Sequence, residues 1–321
     1  MATPTSAPTP SPIPSIFTSK FTHGLHHHLS YLPTSISVDS LSRLSTERLS
    51  TTALPNIGRI ELVSSADFAT VYDAMYVSMF PRLEERERSD LIVERLAAQA
   101  AGLRDGLATY RVVGIRDSNG EAIGAAQFSV LPLDGGEGET AALFAVPYLQ
   151  YIYIRSQNRR QDMSEVLHTM VLAVSASDAA KSGRTVPFTL FETEPPGHGN
   201  DEASRAYASQ RARIHANAGG VALVLRRKAD GKILSAHVQP GLEEEDSPLT
   251  LTWVIRPSPN PGRDYDVTTI GRGLVAAYYN SLRDEGFSER NIGLAEEIVE
   301  KRYEGAEFQL IPLEDVRDHV D

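Results

Sequence analysis

The sequence predicts a mixed α/β fold, in which a central mixed β-sheet carries helices on both of its faces. Short β-branched segments alternate with segments of helical periodicity, a pattern typical of a sheet covered by helices. Asn119 and Gly120 separate two alternating strands, which predicts a tight hairpin. A long β-rich run over 142–154 leads through a basic turn into a helical pattern, so the strands on either side of that helix should be parallel.

The predicted elements follow the order strand, two helices, three strands, helix, strand, helix and further strands, with two helices near the end. Helical periodicity covers 66–80, 84–103, 164–182, 202–219, 267–285 and 289–303. Strand patterns cover 59–65, two runs within 108–132, then 142–154, 186–194, 221–227, 233–240 and 249–257. Pro81 and Gly183 stand where the first and third helices should end.

The chain divides into three parts by composition. Residues 1–56 are rich in Ser, Thr and Pro, which predicts a disordered leader. A transit peptide is the alternative for this segment, although the usual arginines are missing. Residues 57–257 carry the predicted sheet and form the main domain. Residues 258–321 are predicted to be a helical extension that packs on the same domain.

Composition excludes several classes of function. The chain of 321 residues has a formal net charge of −11, which argues against nonspecific binding of nucleic acid. It has no cysteine, so disulfides, thiolate nucleophiles and Cys-ligated zinc are excluded, and no metal site is predicted. No apolar run approaches the roughly 20 residues that cross a bilayer, so no membrane partner is expected. These features predict a cytoplasmic protein.

The turn between the long β-run and the next helix has the features of an anion site. A helix N-terminus presents unpaired N–H groups and a partial positive charge, which attract phosphate. Arg155, Arg159 and Arg160 stand immediately before this helix. Asp162 would repel a pyrophosphate unless it turned outward or paired with one of these arginines.

The order of the elements and the register of 152–170 resemble the GNAT superfamily of N-acetyltransferases, over about residues 58–256. In that family the turn after the fourth strand contains Arg or Gln and two glycines, whose backbone grips the pyrophosphate of acetyl-CoA. Arg159 takes the first place of this pattern, while Asp162 and Ser164 stand where the glycines would be. The resemblance implies acetyl-CoA, or another acyl-CoA, as co-substrate. It implies a cofactor-binding set made of Ile152, Ile154, Arg159, Arg160, Gln161, Asp162, Met163 and Ser164.

Two catalytic residues follow from the same resemblance. His215 lies four residues before Gly219, at the place of the family's tyrosine, and could return a proton to the leaving thiolate. Glu192 on the fifth strand is the predicted general base, with a pKa raised by a partly dry cleft. The alternatives are a histidine without a catalytic task and a glutamate paired with a neighbouring arginine. Ala208 replaces an asparagine that many family members carry.

The acceptor is predicted to enter beside the first two helices and the 131–140 loop, near Tyr76, Phe80, Arg82 and Tyr151. The implied reaction transfers acetyl from acetyl-CoA to an amine of a small molecule or peptide, and the acidic chain favours a cationic acceptor. Two alternatives stay open at this point. One is an acyltransferase of the same fold that uses a longer acyl donor or an acyl carrier protein, and the other is an inactive binding module. A homodimer also stays open.

Overall fold

The computed structural model describes residues 57–135, 142–159, 163–242 and 246–316. The predicted leader at 1–56 lies outside the described residues, as do Arg160, Gln161 and Asp162 of the turn. Nine strands are described in this part of the chain. They are β1 Ile57–Leu62, β2 Thr109–Asp117, β3 Ala122–Gly135, β4 Ala142–Ile154, β5 Phe188–Thr193, β6 Val221–Arg227, β7 Ile233–Ser235, β8 Thr252–Pro257 and β9 Ala306–Ile311.

The helices occur where the periodicity predicts them. The first, α1, runs through Ser65–Asp67, a π-helical turn at Phe68–Tyr72, and Asp73–Met79. The others are α2 Ser89–Ala100, α3 Met163–Ala180, α4 Glu202–Asn217, α5 Val267–Asp284 and α6 Glu289–Tyr303. Ser64 caps α1 by accepting a hydrogen bond from the amide of Asp67, and Gly183 follows α3 with a φ of 68°.

The strands form one mixed sheet in the order β1-β2-β3-β4-β5-β8-β6-β7, and β9 pairs with β6. The β2–β3 hairpin turns at Asn119 and Gly120 as predicted, with Gly120 at a φ of 85°. The β4–β5 pair, joined through α3, is parallel as predicted. The predicted helical extension also contains β9, which enlarges the sheet and which the sequence patterns did not indicate.

Helices cover both faces of the sheet, and different helices cover each face. On one, the α3 face, α3 buries Val166, Leu167, Met170 and Val171 against the sheet. The opposite face, the α5 face, receives the alternate residues of each strand. Helices α5 and α6 cover its β5, β6 and β8 half. Helices α1 and α2 cover its β1 and β2 half. The predicted mixed sheet with helices on both faces is therefore confirmed.

Candidate active site

The sheet opens between its two central strands. Within the described residues the β4–β5 ladder consists of the single pair Tyr148↔Leu190, with one isolated bridge behind it at Phe144↔Thr185. Beyond Tyr148, β4 stays paired with β3, whereas β5 continues along β8. The strands therefore part in a V.

A β-bulge lies at the apex of this V. Gln127 of β3 pairs with Tyr151 and Phe128 pairs with Leu149, so Gln150 is the extra residue of β4. The bulge turns Gln150 to the α5 face, where it contacts Glu285 just beyond the end of α5. Tyr148 and Tyr151 point to the same face, since Tyr148 packs on α5 and Tyr151 on α1. Three nearly consecutive side chains of β4 therefore face one cavity.

That cavity has a volume of about 740 Å³ and an acidic wall. Its described lining holds more carboxylates than cations. The carboxylates are Glu85, Glu87, Glu192, Glu194, Asp201 and Glu285, and the arginines are Arg82 and Arg211. Helix α4 contributes one face at helical spacing, formed by Ser204, Tyr207, Ala208 and Arg211. The cavity thus favours a positively charged occupant over an anionic one.

Glu192 lies on the cavity wall and accepts three hydrogen bonds. Tyr148 Oη donates over 2.5 Å, His237 Nε2 over 2.6 Å and Tyr278 Oη over 2.8 Å. Burial alone would raise the pKa of Glu192, but these donors stabilise the anion and hold its pKa below the ordinary value. The predicted rise in the pKa of Glu192 is therefore wrong, because three hydrogen-bond donors outweigh the effect of burial.

The partner His237 is a functional candidate that sequence analysis missed. Burial lowers the pKa of His237, which keeps the imidazole neutral. Its Nδ1 is buried without a hydrogen-bond partner, which fits a tautomer that carries its proton on Nε2 and donates it to Glu192. The ring stacks on Trp253 with centroids 4.4 Å apart. A histidine inside the apolar run 233–240 was the available sequence signal.

Glu285, directly after α5, is the second functional candidate that the sequence patterns did not indicate. Ser129 Oγ donates to its Oε1 over 2.9 Å, and Gln150 Nε2 lies 2.8 Å from both carboxylate oxygens. Burial raises the pKa of Glu285 and the nearby Glu87 adds to the rise, while the charge of Arg95 opposes it. Glu285 falls outside residues 58–256, the part of the sequence that carries the family resemblance, so the resemblance gives no signal for it.

Comparison with known proteins gives structural neighbours only. No family model matches the sequence, and no curated protein matches it. A GNAT-family protein from Bacteroides thetaiotaomicron aligns with 13% identity over 70% of this chain and 97% of that chain, with a TM-score of 0.40. NAA60 of Arabidopsis thaliana, solved with acetyl-CoA, aligns with 8% identity over 61% of this chain and 95% of that chain, with a TM-score of 0.36. The chain is similar in fold to GNAT acetyltransferases.

His215, at the place of the GNAT tyrosine, does not line the cavity. It packs against Phe191 on the α3 face, with ring centroids 5.3 Å apart. Phe191 and Glu192 are adjacent in β5 and so point to opposite faces. Burial, with the charges of Arg211 and Arg256, lowers the pKa of His215 to about 4, so the imidazole is neutral at pH 7. The structure therefore does not bring the two predicted catalytic residues together.

The GNAT-like turn is only partly described. Arg159 is exposed, and its guanidinium lies 3.5 Å from the carbonyl oxygen of Ile154. Met163 is buried at the start of α3, Ser164 is exposed, and Ile152 and Ile154 pack partly buried against the α3-face core. Arg155 bonds to Asp117 and Glu121 and so stabilises the hairpin instead of the predicted anion site.

Three of the four residues predicted to meet the acceptor, all except Arg82, form an aromatic wall. Phe80, Arg82 and Tyr151 line the cavity, whereas Tyr76 is fully buried behind them and does not line it. The Tyr76 and Tyr151 rings are 5.2 Å apart, and those of Phe80 and Tyr151 are 5.1 Å apart. Tyr76 supports the wall because its large side chain fills the space between α1 and the sheet.

Two further findings concern metals and membranes. Among the described residues no group of three or more metal-ligating side chains converges. In the same part of the chain, no helix combines the length and the apolar character needed to cross a membrane.

Proposed function

We propose that the protein is an acyl-CoA-dependent N-acyltransferase whose acceptor is a cationic amine of a small molecule or peptide. The observation that carries this proposal is the parting of β4 from β5 directly above an acidic cavity. Acyl transfer needs a thioester and an amine brought together away from water. A cavity wall of carboxylates suits an ammonium group, and the open V gives the second substrate a separate way in.

The open edge of β4 fits the arm of an acyl-CoA. From Leu149 to Ile154, β4 has no ladder to β5 in the described part of the chain, so its backbone on that side can pair with the amides of an extended pantetheine chain. The start of α3 at Met163, with Arg159 just before it, suits the phosphates. Glu165 in the first turn is neutralised by Arg256, 2.5 Å away, and so repels phosphate less. Acyl-CoA supplies the activated carbonyl, and the chain supplies binding and proton transfer.

The test measures transfer directly. Purified protein is incubated with acetyl-CoA and a panel of amines, and released CoA is detected with a thiol reagent. Because the chain contains no cysteine, the protein gives no background in this assay. We expect amine-dependent thiol release, strongest for amines with additional positive charge. The proposal fails if no amine on the panel raises the rate of thiol release above the rate of acetyl-CoA hydrolysis measured without an amine.

A binding experiment separates the alternatives. The experiment measures the thermal stability of the protein with each ligand. Stabilisation by acetyl-CoA supports the proposed donor, and stabilisation only by long-chain acyl-CoA supports the longer-donor alternative. If neither ligand stabilises the protein, the binding module is supported. The Arg159→Ala substitution should weaken CoA binding about tenfold by removing a charge-assisted contact to phosphate. The matched control is Arg263→Ala, an exposed arginine in the loop before α5, which should leave the affinity unchanged.

A further inference from the structure

We propose that Glu285, which follows α5 and reaches the apex of the cleft, accepts the proton from the acceptor ammonium. This inference rests on the proposed function and names the residue that starts its chemistry. Glu285 lines the acidic cavity together with Tyr148, Gln150 and Glu192. It is bonded to Gln150, two residues beyond Tyr148, the last β4 residue paired with β5. An amine that reached the open V would therefore meet this carboxylate.

The partners of Glu285 allow it to change protonation state. Within the described residues it forms no salt bridge, and its side-chain partners are the neutral groups of Ser129, Gln150 and Ser281. Gln150 Oε1 is buried and has no hydrogen-bond partner. If the Gln150 amide turned over, that oxygen would accept a hydrogen bond from a protonated Glu285. The same pair of side chains can therefore bond in either state of the carboxyl.

The other carboxylates of the cavity are already committed to donors. Glu192 holds three buried donors, and Glu87 is held by both terminal nitrogens of Arg95. The remaining pairs are Glu85 with Arg82, Glu194 with Arg211, and Asp201 with the amide of Ser204 at the N-cap of α4. Protonation of any of these would break an ion pair or leave a donor unpaired, which costs free energy. Glu285 is the exception.

The charged and titratable groups around Glu285 come from every element packed against it. They are Glu87, Arg95, Arg104, Tyr110, Tyr148 and Tyr151. Burial and the negative charge of Glu87 raise the pKa of Glu285, and Arg95 limits the rise. A carboxyl with a raised pKa is a better match to a base that works near neutral pH.

The proposed step is balanced as follows. Glu285 takes one proton from the ammonium, and the freed amine nitrogen forms a C–N bond to the thioester carbonyl carbon. The C–S bond breaks, and the departing sulfur leaves with the second proton lost from that nitrogen. Glu285 then releases its proton to solvent. The sum is one amide, one thiol and one proton for each thioester and ammonium consumed.

The experiment compares Glu285→Gln with Glu289→Gln, an exposed glutamate four residues on that lies outside the cavity. We expect Glu285→Gln to lower kcat/KM for the amine at least about 100-fold, with the affinity for CoA unchanged. The acidic limb of the wild-type pH–rate profile should disappear in this variant. Glu289→Gln should match the wild type in all three measurements.

A second readout needs no acyl donor. Carboxyl ¹³C NMR of the free protein should show a glutamate that titrates above its ordinary pKa in the wild type and in Glu289→Gln, and that is missing in Glu285→Gln. Equal transfer rates in the wild type and Glu285→Gln would overturn this inference while leaving the proposed function intact. If the wild type transfers acyl groups to no amine, both fall. Urea unfolding of each variant confirms that the fold is kept.

Discussion

The two faces of the sheet differ in the charge of the titratable groups that lie at adjacent residues of β5. On the α3 face, Phe191 packs between His168 and His215, and the imidazole of His215 is held neutral by burial. On the α5 face, Glu192 is largely enclosed but stays anionic, because three donors surround it. Burial alone therefore does not decide the charge of a group here. The available hydrogen-bond donors decide it.

This difference is the reason that our proposal assigns the chemistry to the α5 face. The α5 face brings together two carboxylates of opposite pKa shift, Glu192 lowered and Glu285 raised, in one cavity. Sites that assign different roles to two acidic groups are often built from such pairs. In our proposal Glu192 fixes the wall and attracts the ammonium, and Glu285 moves the proton. The α3 face supplies a rigid apolar support for β4 and β5.

The largest expected effect comes from removing the anion of the α5 face. Glu192→Ala leaves the buried hydroxyls of Tyr148 and Tyr278 and the N–H of His237 without their acceptor, and should lower the free energy of unfolding by about 3–5 kcal/mol. Urea unfolding measures this. Glu194→Ala, which breaks only the half-exposed pair with Arg211, should cost under about 1 kcal/mol. Equal losses of unfolding free energy in the two variants would show that the hydrogen bonds to Glu192 stabilise the fold no more than a half-exposed ion pair does.

Much of the fold could be predicted because its signals are local. The Asn119-Gly120 hairpin and the end of α3 near Gly183 each depend on a few adjacent residues. The parallel orientation of β4 and β5 could be predicted because parallel neighbours need a crossover connection, which α3 provides.

The candidate site could be predicted only in part, because its electrostatics depend on distant residues. Tyr148, His237 and Tyr278, the donors to Glu192, are 44, 45 and 86 positions away in the sequence. The spacing to Gly219 correctly predicted that His215 lies on α4. It did not predict which face of the sheet His215 packs against. Glu285 lies beyond the segment that resembles the GNAT family.

The second effect concerns the α3 face and depends on pH. The pKa of His215 falls from its ordinary value of 6.5 to about 4 in the folded protein. Between these values the unfolded chain binds more protons than the folded one, so stability should fall as the pH drops from 6.5 to 4, by up to about 3 kcal/mol. His215→Gln should remove this part of the pH dependence. We would measure urea unfolding of both proteins at several pH values; parallel curves would show that His215 is not held neutral.

The smallest effect tests whether the donors of the α5 face act one by one. Tyr278→Phe removes one of the three hydrogen bonds to Glu192 and should destabilise the protein by about 1 kcal/mol. Tyr303 provides the matched control, because its hydroxyl is also buried in the α5-face core but has no hydrogen-bond partner among the described residues. Tyr303→Phe should therefore be neutral or slightly stabilising, since it removes an unsatisfied polar atom. Both substitutions keep the aromatic ring and remove only the hydroxyl. Thermal unfolding of the two variants therefore measures the contribution of the Tyr278 hydrogen bond to stability. A loss in Tyr303→Phe as large as in Tyr278→Phe would mean that removing any buried hydroxyl from this core destabilises the protein, and that the hydrogen bond from Tyr278 to Glu192 adds nothing to its stability.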